Sequence, residues 1–123
     1  MDLSTLKFNN KVTLLTNSNT SEAILREMAK DENSNVRLYV ARHSNTPLEV
    51  LLDFSKDDAE AVRYYVARNI NSSGKILVSL FEYEKSLNAP VKQIIRALYA
   101  HKNLPAFAKR VIETLFGDML KWI

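Results

Sequence analysis

Val36-Arg37-Leu38-Tyr39-Val40-Ala41-Arg42-His43 returns as Val62-Arg63-Tyr64-Tyr65-Val66-Ala67-Arg68-Asn69, 26 residues further on. The same offset lays Asn17-Ser18-Asn19-Thr20 over His43-Ser44-Asn45-Thr46, Ala23-Ile24-Leu25 over Glu49-Val50-Leu51, and Asp31 over Asp57. The register holds without a gap from about residue 12 to residue 80. A looser copy follows, with Ile95-Arg96-Ala97-Leu98-Tyr99-Ala100-His101-Lys102 set against the Val62 block at an offset of 33. A fixed period of this length is the mark of a repeat array, in which each unit buries its apolar face against its neighbours.

Each unit reads as two short helices. Thr46-Pro47-Leu48-Glu49 has the form of a capping box with proline at the first helical position. Val50, Leu51 and Phe54 then follow at helical spacing. Asp57-Asp58-Ala59-Glu60 reads as the start of the second helix, on which Val62, Tyr65, Val66 and Asn69 share a face with the spacing i, i+3, i+4, i+7. Ser44-Asn45 and Ile70-Asn71-Ser72-Ser73-Gly74 supply turns. Helices of this length are marginal alone, because nucleation costs more than a few turns return. The reading is one all-α domain, an α-solenoid of stacked helix pairs. Its repeats fall near 17–42, 43–68 and 69–101, with a capping helix over 104–123.

The bulk composition agrees. The chain has 123 residues, one domain's worth, and only Gly 2 and Pro 3, too few for the tight turns of a small β-sandwich or barrel. Cysteine is absent, which excludes a disulfide framework, a thiolate metal site and a cysteine nucleophile. No signal-like start and no membrane-length apolar run is present, and a cytoplasmic location is expected. The net charge of +3 divides unevenly. Residues 1–61 carry seven basic and ten acidic side chains, a balance of −3; residues 62–123 carry ten and four, a balance of +6. Between Glu84 and Glu113 lie Lys85, Lys92, Arg96, Lys102, Lys109 and Arg110 and no acid. Such a window is either a solvated face or a surface for an anionic partner.

The run VRLYVARHSNTPLEVLLDFSKDDAEAVRYYVARN, residues 36–69, resembles the leucine-rich repeat variant, a short relative of the HEAT repeats. The resemblance implies the stacked solenoid, with one helix of a pair sometimes a 3₁₀ turn, here the segment after Pro47. It also implies a ladder in which an Asp pairs with an Arg six residues later: Asp31 with Arg37, and Asp57 with Arg63. At the matching position before Arg96 stands Pro90, which leaves Arg96 as the arginine free for a ligand. The prototype's cysteine-bound iron–sulfur cluster cannot carry over to a chain without cysteine.

Candidate binding residues follow from the repeat. Arg42, Arg68 and His101 read as one equivalent position late on the second helix. They either line the inner curve, where stacked cations meet a phosphate backbone or an acidic peptide, or cap helix C-termini. Tyr64 stands beside Arg68, able to stack on a base or pack on a partner, and Lys92, Arg96 and Lys102 complete the basic set. His43 falls on the apolar face and reads as a hydrogen-bonded structural histidine. No metal-ligand spacing, phosphate-cradling loop or convergent carboxylate pair is seen, so neither catalysis nor a cofactor is expected. The expected function is a non-enzymatic scaffold binding a protein through its concave face. The alternative is a nucleic-acid-binding module. The C-terminal run from Phe107 to Trp122 and Ile123 reads as a capping helix, a homodimer surface or a docking site.

Overall fold

Ser21, Asn33 and Ser73 each precede an apolar-periodic run, and each side chain accepts an N–H of the helix it opens, from Ile24, Asn35 and Ile76 respectively. The structure, a computed structural model, describes residues 3–121. It contains eight α-helices: α1 Phe8–Leu15, α2 Glu22–Met28, α3 Ser34–Arg42, α4 Leu48–Phe54, α5 Glu60–Arg68, α6 Gly74–Ser86, α7 Lys92–Ala100 and α8 Ala106–Phe116. A 3₁₀ turn, Gly117–Leu120, follows α8. Among the described residues there is no strand, so the chain is all-α, and no helix is long and apolar enough to cross a membrane.

The odd-numbered helices touch in sequence: α1 on α3, α3 on α5, α5 on α7, and α7 on the 3₁₀ turn. Of the even-numbered helices, α2 packs on α3, α4 on α3 and α5, α6 on α5 and α7, and α8 on α7, and α4 also touches α6. Repeat-equivalent residues fill one core. Val36, Val62 and Ile94 are at most 1% exposed, as are Val40, Val66 and Leu98 from the odd helices and Leu25, Leu51 and Leu77 from the even ones. Burying each such side chain contributes about 1.5–3 kcal/mol. This is what holds helices of seven to nine residues that would not persist alone.

Three local readings change. First, Pro47 rather than Thr46 is the cap residue of α4, which is α-helical and not 3₁₀. The Thr46 hydroxyl points backwards and donates to the Val40 carbonyl, 2.5 Å away, at the C-terminus of α3. Thr20 and Ser72 do the same for the Leu14 and Val66 carbonyls, each six residues back. The conserved hydroxyl of the repeat thus satisfies an orphan carbonyl of the preceding helix rather than an orphan N–H of the next. Second, the third unit is offset by 32, not 33: α5 begins at Glu60 and α7 at Lys92. All six extra residues lie in α6, 13 residues long against 7 in α4. Third, the helix expected over 104–123 ends at Phe116, whose φ of −129° and ψ of 23° leave helical space ahead of the 3₁₀ turn. Trp122 and Ile123 lie outside the described residues.

Candidate functional site

Two ladders run through the stack and fix which side chains remain for a partner. The first is ionic. Lys11 pairs with Asp31 at 2.6 Å, Arg37 with Asp57 at 2.9 Å, and Arg63 with Glu84 at 2.7 Å. Each cation stands 26 residues after the last, and each reaches a carboxylate 20 or 21 residues ahead, in the following unit. The pairing of Asp31 with Arg37 and of Asp57 with Arg63 expected across six residues is therefore corrected. Those arginines take the main-chain carbonyls of Asp31 and Asp57, at 3.0 and 2.7 Å, and send their other nitrogens onward. The physical reason is that both aspartate side chains are already engaged. Each accepts the N–H two residues on, from Asn33 or Ala59, and holds the cation of the unit before it.

Burial alone would raise the Asp57 carboxyl, but hydrogen bonds from Arg37 and from the Ala59 N–H, with the Arg37 charge, outweigh it and hold it below the ordinary value of 3.8. Asp31 is lowered in the same way, its burial offset by Lys11 and the Asn33 N–H. Arg37 is correspondingly raised, chiefly by its hydrogen bond to Asp57. A carboxyl with a depressed folded pKa contributes stability that is whole above its unfolded value and is lost as the pH falls through the folded one. Urea unfolding of the protein is therefore expected to show stability dropping as pH falls below about 4, with a shallower drop in Asp57→Asn. An equally steep profile in that variant would assign the acid sensitivity elsewhere.

The second ladder is neutral and sits at the turns after the odd helices. His43 accepts the Asn45 N–H on Nδ1 at 3.0 Å, so its Nε2 carries the proton and donates to the Asn17 carbonyl at 2.8 Å. His101 repeats this with the Asn103 N–H and the Asn69 carbonyl. Asn69 does the same work with an amide: Oδ1 accepts the Asn71 N–H, and Nδ2 donates to the Ala41 and His43 carbonyls. Beside them the Asn45, Asn71 and Asn103 amides reach back to the preceding turn. His43 is thus the structural histidine expected of it. His101 belongs to the same position, buried at 8% exposure, and not to the Arg42 and Arg68 position, whose third member is Ala100.

The remaining candidates separate. Arg96 is not free: its Nε donates to the Met119 carbonyl at 2.6 Å and its Nη2 to the Lys121 carbonyl, which ties the 3₁₀ turn to α7. The slot equivalent to Arg63 is filled by buried Ile95, so the ionic ladder ends there. Lys92 stands at the first residue of α7, about 12 Å along the helix from its last and so away from Arg68 and Lys102. Tyr64 packs its ring edge-on against Tyr65, with centroids 5.2 Å apart.

Arg42 and Arg68 are the last residues of α3 and α5, and Lys102 lies in the turn just after α7. The Arg42 guanidinium sits over two rings, Tyr39 at 5.5 Å and Tyr65 at 5.1 Å. Arg68 and Lys102 are exposed and have no hydrogen-bond, ion-pair or ring partner among the described residues. They flank an open hollow of 410 Å³ lined by Ala67, Ala97, Ala100, His101 and Ile70. Ile70 is 68% exposed at its rim. The arrangement places two cations, an apolar floor and an exposed apolar edge side by side. Lys11, Glu84 and the asparagines of the neutral ladder escape a reading by residue type. Their signal is positional, since Lys11 stands one period before Arg37 and Asn19, Asn45 and Asn71 are one period apart. Set beside protein-family models, curated proteins and solved structures, the chain matches none of them.

Proposed function

We propose that the helices form a right-handed α-solenoid of the leucine-rich-repeat-variant and HEAT-like kind. In this reading the chain is a non-enzymatic scaffold that binds an acidic protein segment along the edge made by the C-termini of α3, α5 and α7. The unbroken row of contacts from α1 to α7 supports placing those helices on the inner, concave side. The observation that carries the reading is the pair of exposed, unpartnered cations, Arg68 and Lys102, around an apolar hollow. The carboxylates that a catalytic reading would need are committed elsewhere: Asp31, Asp57 and Glu84 each hold a ladder cation. A phosphate-tracking reading loses Arg63 and Arg96 to internal partners and His101 to the core.

The test is titration of the protein with a glutamate-rich peptide and with a short DNA duplex, at low and high salt. The peptide is expected to bind, and Arg68→Glu with Lys102→Glu to weaken it by about tenfold, some 1.4 kcal/mol. Duplex binding that falls steeply with salt, with no peptide binding, would instead establish a nucleic-acid module.

A further inference from the structure

The hollow beside Arg68 has a counterpart two units earlier. A second depression of 350 Å³, between the ends of α1 and α3, is lined by Leu15, Thr16, Ser18, Tyr39, Arg42, His43 and Ser44. Stepped forward by two units, those seven positions become Ala67, Arg68, Ile70, Ala97, Ala100, His101 and Lys102, the lining of the larger hollow. The same place therefore recurs between successive odd helices, and its middle copy lies between α3 and α5. There the Tyr65 ring lies with the Arg42 guanidinium 5.1 Å from its centroid. In the last copy the residue at the Tyr65 position is Ala97, and the cation at the Arg42 position is Arg68. The ring is missing while its arginine, deprived of a stacking partner, remains.

The geometry points to this hollow as a socket for one aromatic side chain of a partner protein, stacked on Arg68 as Tyr65 is on Arg42, with an adjacent carboxylate held by Lys102. This rests on the scaffold reading above and names what the scaffold recognises. A guanidinium with an open face draws the negative face of a ring. The alanine floor of Ala67, Ala97 and Ala100 lets the ring lie close. The 410 Å³ available exceeds the roughly 150 Å³ cavity that takes up a benzene. The carboxylate requirement follows from Lys102, which has no internal anion, and exposed Ile70 adds apolar contact beyond the ring.

The probes are a capped pentapeptide with one phenylalanine between two pairs of aspartates and its alanine counterpart, titrated into the full chain by amide-shift mapping. The phenylalanine peptide is expected to bind at least tenfold more tightly and to shift the amides of Ala97, Ala100 and Lys102. Ala97→Tyr restores the ring found in the middle copy and is expected to abolish that preference while keeping the helical circular dichroism. Arg68→Ala, an exposed position that leaves packing intact, is expected to lower affinity for the phenylalanine peptide about tenfold. Equal binding of both peptides overturns the aromatic socket and leaves the acidic-segment reading standing. Absence of binding by either peptide at millimolar concentration overturns both. Thymidine monophosphate shifting the same amides where the peptides do not would reassign the socket to a nucleobase and its phosphate.

Discussion

Glu84→Ala is expected to lower the unfolding free energy by about 3–5 kcal/mol, because it leaves the Arg63 guanidinium buried without its counter-charge. Glu84 is 0% exposed and the Arg63 side chain 5%. One Glu84 oxygen receives Arg63 Nε at 2.7 Å, and the other receives the Val91 N–H at 3.1 Å, at the cap of α7. The Arg63 guanidinium also lies 5.2 Å from the Tyr83 ring centroid and donates to the Asp57 carbonyl of its own unit. One carboxylate therefore joins α5, α6 and the start of α7. At this chain length the loss corresponds to a fall in Tm of about 10–20 °C. Glu84→Gln keeps one acceptor oxygen and the shape of the side chain but turns the other oxygen into a donor and removes the charge, so it is expected to fall between the wild type and Glu84→Ala. Removing both partners, Arg63→Met with Glu84→Leu, is expected to recover part of the loss, since neither charge is then stranded. The measurement is urea unfolding of these variants, with the single variants Arg63→Met and Glu84→Leu completing a double-mutant cycle. A Glu84→Ala protein within about 1 kcal/mol of wild type would mean that water reaches Arg63 and that the pair is not the joint described.

The same residues show what a sequence can and cannot carry. The 26-residue period is written into Val36, Val62, Asn45 and Asn71, because stacked units must present the same residue at the same place. Helix pairs, core positions and the buried role of His43 follow from it. The ladder partners do not, since a side chain's reach depends on three dimensions. Arg37 lies six residues after Asp31 and twenty before Asp57, and only the fold shows that it takes the carbonyl of one and the carboxylate of the other. The third unit was displaced by one residue because Ile95-Arg96 imitates Val62-Arg63. On an α-helix one residue is a rotation of about 100°. That slip moved Arg96 into a ladder slot held by Ile95, and His101 into a surface slot held by Ala100. In that register both residues face a ligand, while Ala97 carries no chemical signal of its own.

Asn69→Leu is the second large expected effect, and it tests the neutral ladder as Glu84→Ala tests the ionic one. Asn69 is 6% exposed and serves three main-chain groups at once: the Ala41 and His43 carbonyls at 2.9 and 3.2 Å, and the Asn71 N–H at 2.9 Å. Its own carbonyl receives the His101 ring, so the residue lies between the units on either side. Leucine has the same branched skeleton and number of heavy atoms, with bulkier methyl ends, so no cavity enters the comparison. What remains is the desolvation of unpartnered groups, about 1–3 kcal/mol for each that water cannot reach. A total near 3–5 kcal/mol is expected, with the Asn71 N–H and the Ala41 carbonyl contributing most. His101→Asn is the matched control, because asparagine already performs this task at position 69; it is expected to cost about 1 kcal/mol or less beyond the packing of the lost ring. Hydrogen exchange distinguishes the ladder from general loosening: Asn69→Leu should speed exchange first at the Asn71 and Ser72 amides, with the α1–α3 contact still protected. Uniform acceleration across the chain would show that the units do not yield separately at this turn and that the ladder is one element of a single cooperative core.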